Sequence, residues 1–191
     1  MKYTPFKRVL DVVLAVVLLP IAVPVCLLAA IAIRLESPGN PMFLQRRVGK
    51  HERDFTCLKL RTMFANTVDA GSHEVSKGAV TKLGRILRKT KVDELPQLIN
   101  VLRGEMSFVG PRPGLPVQQD LTEARRAQGV YDVLPGITGL GQIRKIDMST
   151  PVELAKVDRE YIDNQSLILD LKLIAMTALG RGNTDPNSKQ G

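Results

Sequence analysis

Val12-Val-Leu-Ala-Val-Val-Leu-Leu-Pro20-Ile-Ala-Val-Pro24-Val-Cys-Leu-Leu-Ala-Ala-Ile-Ala-Ile33 carries no charged side chain. A run of roughly 22 apolar residues is long enough to reach across the hydrocarbon core of a bilayer. A cleavable signal peptide has a shorter apolar core and ends at a small-residue cleavage site. Here Arg34-Leu-Glu-Ser-Pro38 follows, a poor site, so the run reads as a retained anchor. Its flanks are basic on both sides, with Lys2, Lys7 and Arg8 before it and Arg34, Arg46, Arg47 and Lys50 after it. A single span normally shows that excess on one side. Pro20 and Pro24 lie near its middle, where each removes a backbone donor and crowds the preceding turn. Two readings follow from composition. One is a re-entrant helix-break-helix with both ends on the cytoplasmic face; the other is a kinked helix that spans, since neighbours can re-satisfy a proline-broken backbone.

Outside this segment the chain has the make-up of a basic soluble domain. Its 191 residues include 27 Lys or Arg against 19 Asp or Glu, a net charge of +8. That length suits one domain plus an appendage. Only Cys26 and Cys57 are present, which excludes a disulfide scaffold or a Cys-rich zinc module, and both suit buried packing positions. The two histidines, His51 and His73, fall in loops without metal-binding partners. Aromatic residues are 4% with no Trp, so stacking-based nucleic-acid binding is not expected.

Ser37-Pro-Gly-Asn-Pro41 ends the membrane segment as a turn. Residues 42–45 and 55–61 read as short strands around a polar turn, and residues 66–78 as a mobile loop. Lys82 to Lys89 is a basic helix. Leu95, Leu98, Ile99 and Leu102 share one helical face, with Asp93 expected as N-cap, Pro96 in the first turn and Gly104 just past the end. Ser107 to Pro113 is too proline-rich for regular structure, and residues 134–141 form a glycine-rich turn. Helices are expected over 116–129, 152–162 and 167–179, the last suited to a membrane surface, with a polar tail at 181–191. The organisation is therefore an anchor (1–36), a globular domain (37–180) and the tail. The fold class is α+β and mainly helical, with short strands and amphipathic helices.

Two constellations can carry chemistry. The adjacent carboxylates Asp93 and Glu94 open a helix, where an anion is stabilised by exposed amides. An ionised aspartate can attack phosphorus, and a glutamate can hold a hard cation such as Mg2+. Plain capping is the simpler explanation of acidic residues in a first turn. The second set is Arg85, Arg88, Arg103 and Arg112, since Arg matches phosphate bidentately. Pro111 and Pro113 restrict the backbone around Arg112 and lower the entropy lost on ordering. Gly136-Ile-Thr-Gly139-Leu-Gly141 has neither the dinucleotide nor the Walker A spacing and reads as a turn.

Taken in order, Phe6-Lys-Arg-Val-Leu-Asp11, Lys59-Leu-Arg-Thr-Met63, Asp93-Glu-Leu-Pro-Gln97, Asn100-Val-Leu-Arg-Gly-Glu-Met-Ser-Phe-Val-Gly-Pro-Arg-Pro113 and Pro135-Gly-Ile-Thr-Gly139 resemble the bacterial sugar transferases. The chain is similar in particular to the small monotopic phosphoglycosyl transferases. The resemblance implies transfer of a phospho-sugar from a UDP-sugar to a polyprenyl phosphate such as undecaprenyl phosphate, releasing UMP, at the start of a glycan pathway such as exopolysaccharide synthesis. It implies Asp93 as nucleophile of a covalent phospho-sugar intermediate, Glu94 as ligand of a Mg2+ cofactor, and Arg88 and Arg112 as phosphate binders with Pro111 and Pro113 beside them. It implies a re-entrant N-terminal helix and a catalytic domain on the cytoplasmic face of the bacterial inner membrane. Lys7 and Arg8 would then meet phospholipid headgroups, and no nucleic acid is a partner. The oligomeric state stays open, a homodimer included. Many family members carry a small residue where this chain has Lys91, and Trp-Ala-Gln-Val where it has Leu140-Gly-Gln-Ile143. Two rivals remain: a basic lipid-binding module without catalysis, and a glycosyltransferase that releases UDP.

Overall fold

The computed structural model describes residues 4–65, 67 and 77–180. Most of the expected loop at 66–78 and the tail at 181–191 lie outside the described residues. The N-terminal segment is one helical element, α1 (Thr4–Glu36), with Pro20 and Pro24 inside it. Composition allows a break or a kink there, and the resemblance implies the break. Each proline deletes one ladder bond, to the carbonyl four residues earlier, but the apolar residues around them continue the helix on both sides.

After α1 the chain forms an antiparallel hairpin of β1 (Met42–Val48) and β2 (Asp54–Leu60), in register from Met42 opposite Leu60 to Val48 opposite Asp54. Next come α2 (Lys82–Thr90), a 3-10 turn at Val92–Glu94, and α3 (Gln97–Arg103). Thr81 caps α2 by accepting from Gly84 N, and Gly104 closes α3 at a φ of 80°, where glycine is favoured. Then follow β3 (Ser107–Val109), α4 (Gln119–Ala127), β4 (Gly136–Thr138), α5 (Leu140–Arg144), α6 (Pro151–Asp163) and α7 (Leu167–Ala178).

Two expectations need correction here. The Ser107–Pro113 stretch and the glycine-rich turn each contain a strand, and the two pair in parallel. Three-residue strands leave no readable alternation. The glycines serve backbone approach: a Cβ on Gly136 would lie 2.1 Å from Gly110 N, and one on Gly139 would lie 2.3 Å from Gly110 O.

The core explains how α1 is held. Ala15 and Ala22 pack with Cys57, Leu98, Val101 and Met106. Farther along, Ile33 packs with Leu60 and Leu87. A third cluster joins Val109, Tyr161 and Leu173 across β3, α6 and α7. The opposite face of α1 leaves Val13, Val17, Ile21 and Leu28 exposed. Small side chains on one face and large apolar ones on the other let the helix lie close on the domain while presenting a greasy outer surface.

Polar contacts tie down both ends of α1. Near its start, Lys7 pairs with Asp170 of α7, and Arg8 donates to the carbonyls of Val101 and Leu102 at the end of α3. Asp11 accepts from Ser107 Oγ and Phe108 N. At the other end Glu36 accepts from Leu83 N at 3.0 Å, and Arg61 donates to the Ser37 carbonyl. The sequence reading gave Lys7 and Arg8 to lipid headgroups. In the structure Lys7 is buried with a carboxylate, and the partly buried Arg8 meets the negative end of a helix.

Candidate functional site

Between α2 and α3 the chain makes a tight reversal. Lys91 closes α2 in the left-handed conformation, with φ 60° and ψ 14°, and its N–H bonds back to Arg88 O and Leu87 O. A non-glycine residue held there costs on the order of 1 kcal/mol. The reversal drops Asp93 and Glu94 into the 3-10 turn, where both are buried. Asp93 is therefore not the N-cap of α3, which begins after Pro96 with no side-chain cap. The capping explanation for the acidic pair thus loses its geometry.

The two carboxylates have different surroundings. Glu94 is ringed by cations: Arg112 Nη2 donates to Oε1 at 2.8 Å, Lys59 Nζ lies 3.4 Å from the same oxygen, and Lys91 Nζ lies 4.0 Å from Oε2. Burial alone would raise its pKa, but Arg112, Lys59 and Lys91 outweigh that and hold it well below the usual carboxylate range. Asp93 has no such cradle. Its Oδ1 is buried without a hydrogen-bond partner. Burial, with the Glu94 charge added, pushes its carboxyl up to about 6, against the opposing pull of Lys59, Lys91 and Arg88. One acid is thus a fixed anion, and its neighbour is a desolvated, more basic anion at neutral pH.

The cations come from three elements. Arg88 lies on the last turn of α2 and donates through Nε to Thr62 Oγ1 at 2.8 Å. Lys59 lies on β2, beside the edge that Asn100 of α3 grips by accepting from Leu58 N and donating to Thr56 O. Arg112 follows β3 between its two prolines. Burial, helped by Arg112, lowers the Lys59 pKa, while Glu94 foremost raises that of Arg112.

Of the four arginines grouped in the sequence, Arg88 and Arg112 join this site. Arg85 and Arg103 are exposed on their helices. Lys59 was missed as a site residue. Its one local signal is a charge within the otherwise apolar end of a strand. Cys57 is buried on the same strand, where burial pushes its thiol pKa up, as suits a packing residue.

Among the described residues no group of three or more His, Cys, Asp and Glu gathers as a metal cage. Mg2+ uses only one or two carboxylates and takes its remaining ligands from water and substrate phosphate. Glu94 offers one such carboxylate, and the adjacent Asp93 Oδ1 is buried without a hydrogen-bond partner, so the donor chemistry is of the kind that a Mg2+ arriving with a diphosphate would take.

The family model of bacterial sugar transferases matches residues 2–181. The chain belongs to the bacterial sugar transferase family. This sugar transferase is 45% identical over 188 residues to a UDP-glucose:undecaprenyl-phosphate glucose-1-phosphate transferase of Caulobacter vibrioides, covering 94% of this chain and 70% of that one. It is 39% identical to the UDP-N-acetylgalactosamine-undecaprenyl-phosphate N-acetylgalactosaminephosphotransferase of Aeromonas hydrophila, covering 92% of this chain and 43% of the relative. It is 36% identical to the exopolysaccharide production protein ExoY of Sinorhizobium fredii, of which it spans 87%. The sugar transferase thus aligns over nearly its whole length with relatives of quite different sizes.

Proposed function

We propose that this sugar transferase is a phosphoglycosyl transferase, moving a sugar 1-phosphate from a UDP-sugar to undecaprenyl phosphate. The observation that carries this reading is the buried, unpartnered Asp93 oxygen beside the Glu94–Arg112–Lys59 cluster. The activities for which the relatives are named supply the donor and acceptor classes.

In the first half-reaction an Asp93 oxygen attacks the sugar-bearing phosphorus. The bond from that phosphorus to the bridging oxygen breaks, and UMP leaves with the bond's electrons. In the second half an oxygen of undecaprenyl phosphate attacks the same phosphorus, the bond from that phosphorus to the Asp93 oxygen breaks, and Asp93 returns to the carboxylate. The products are undecaprenyl diphospho-sugar and UMP. Desolvation makes Asp93 the stronger nucleophile of the pair, and the two steps let one carboxylate meet two bulky substrates in turn. Arg112 and Arg88 hold phosphate oxygens, and Glu94 keeps Arg112 oriented. Glu94 would hold Mg2+, whose chemistry when bound is neutralisation of diphosphate charge and of the leaving UMP.

The outer face of α1 and the exposed Ile168 and Leu171 of α7 suit shallow insertion into one leaflet of the cytoplasmic membrane, with the domain facing the cytoplasm. The test is a panel of UDP-sugars, including UDP-glucose and UDP-N-acetylgalactosamine, assayed for UMP with undecaprenyl phosphate. Release of UDP instead would overturn the reading. Sugar nucleotide alone should leave a phospho-sugar mass on the native enzyme and none on the Asp93→Asn enzyme.

A further inference from the structure

The segment that delivers Arg112 has an unusual hydrogen-bond account. Pro111 and Pro113 have no N–H to donate, so the loop is held through its carbonyls. Pro111 O accepts from Gly136 N at 2.9 Å and Gly114 O from Val48 N at 3.0 Å. The two carbonyls between them are taken by side chains. Arg112 O accepts from Arg125 Nη1 at 2.8 Å, and Pro113 O accepts from Arg47 Nη1 at 2.9 Å.

Both donors are buried guanidinium groups. Arg125, on α4, is 1% exposed, and its Nε and Nη2 donate to Asp158 Oδ2 of α6 at 2.9 and 2.7 Å. Arg47, on β1, is buried and donates through Nε to Gln45 Oε1 at 2.9 Å. Each fork thus has one side fixed on a partner and the other aimed at the loop. Apolar residues would join α4 to α6 at least as well, because a buried ion pair rarely stabilises more than well-packed hydrocarbon. What apolar residues cannot supply is a rigid, charge-assisted donor to a carbonyl.

We propose that Arg125, held by Asp158, and Arg47, held by Gln45, are positioning residues of the transfer reaction. They fix the backbone of the Pro-Arg-Pro loop from two sides, so that the Arg112 side chain meets Glu94 and the substrate phosphate. Neither touches substrate. Their role in the reaction rests on the function proposed above, whereas their hold on Arg112 does not.

The test separates the two. The Arg125→Met/Asp158→Leu enzyme replaces the ion pair with hydrocarbon but removes the donor to Arg112 O. A melting-temperature cycle of Arg112→Ala, Glu94→Gln and the double variant is run in the native and in this background, without substrate. The expected result is strong non-additivity in the native background and simple additivity in the Met/Leu one. Equal non-additivity in both would overturn the clamp. In the UMP assay the Met/Leu enzyme should lose about 30-fold in kcat, with KM changed much less, because only the transition-state placement of Arg112 is lost. The Arg125→Lys enzyme, which keeps a cation against Asp158 but lacks the fork, should show the same loss if the Met/Leu enzyme folds poorly. Unchanged kcat would overturn the reaction role. Should the native enzyme release no UMP from any donor, the function reading falls, and the melting cycle still decides the clamp.

Discussion

Asp93 and Glu94 are neighbours in sequence and opposites in energetics. Asp93 has a folded pKa of about 6, above the unfolded value near 4. The folded state therefore prefers the protonated form, and the cost of keeping Asp93 ionised is present in full above about pH 6 and is relieved as the pH falls toward 4. That cost is on the order of 1–3 kcal/mol. Asp93→Asn should thus raise the melting temperature by several degrees at pH 7.5, with the gain shrinking toward pH 4, while UMP release is abolished. Glu94 runs the other way. Its folded pKa is depressed, so its stabilisation is present above the unfolded value near 4 and is lost as the pH falls through the lower folded one. Glu94→Gln leaves the partly buried Arg112 and Lys59 without this anion, and should lower the melting temperature by several degrees in the same assay. A further expectation follows for rate: kcat/KM should fall as the pH drops below about 6, approaching tenfold per unit, as the nucleophile takes up its proton. A flat profile down to pH 4.5 would exclude Asp93 as the titrating group.

At the scale of elements, α2 is the part whose placement the site depends on most directly. A Cβ on Gly84 would lie 2.0 Å from the Thr62 carbonyl, and one turn later Arg88 bonds the Thr62 hydroxyl. Helix and strand extension touch there backbone to backbone. Gly84→Ala should push α2 away, costing about 1–3 kcal/mol of stability by overpacking. It should also lower UMP release at least tenfold through Arg88, as a melt and an assay of the same preparation would show. The helix itself was legible in the sequence, as were α3, α6 and α7, because their apolar faces repeat at helical spacing. The Asp93–Glu94 pair and Arg112 were legible as motifs. Three things were not. The left-handed turn at Lys91 withdraws Asp93 from the cap position, and propensity favours neither a lysine there nor the 3-10 turn after it. The β3–β4 pair is too short to alternate and depends on glycine contacts between distant segments. The Arg47 and Arg125 clamps join residues 66 and 13 positions from the carbonyls they bind, so nothing near them in the chain announces their partners.

For the whole molecule the open question is how a helix of this length sits in a membrane beside a charged domain. At about 1.5 Å per residue, the 33 residues of α1 would extend on the order of 50 Å if straight, more than a hydrocarbon core of about 30 Å. A spanning helix would part its two ends across that core. Yet Lys7 and Arg8 bind α7 and α3, Ala15 and Ala22 enter the core with α3, and Glu36 binds the first turn of α2. One domain grips the start, middle and end of the same helix. To span, that domain would have to bring the buried Lys7–Asp170 pair and the Asp93–Glu94 cluster to membrane depth, where charge is costly. The outer face of α1, with Ile168 and Leu171 of α7, is apolar enough to meet lipid. Both ends should therefore lie on one side of the membrane. Tags fused to each terminus should both be cut by protease in inverted membrane vesicles and both be protected in intact spheroplasts. An N-terminal tag cut in spheroplasts would mean that α1 spans, and would require the contacts at Lys7 and Arg8 to break on insertion. Asp170→Asn then tests the same contact from the protein side: it removes the carboxylate that Lys7 pairs with on α7 and should loosen the start of α1, read as faster proteolysis near the N-terminus with the tag still on the same face.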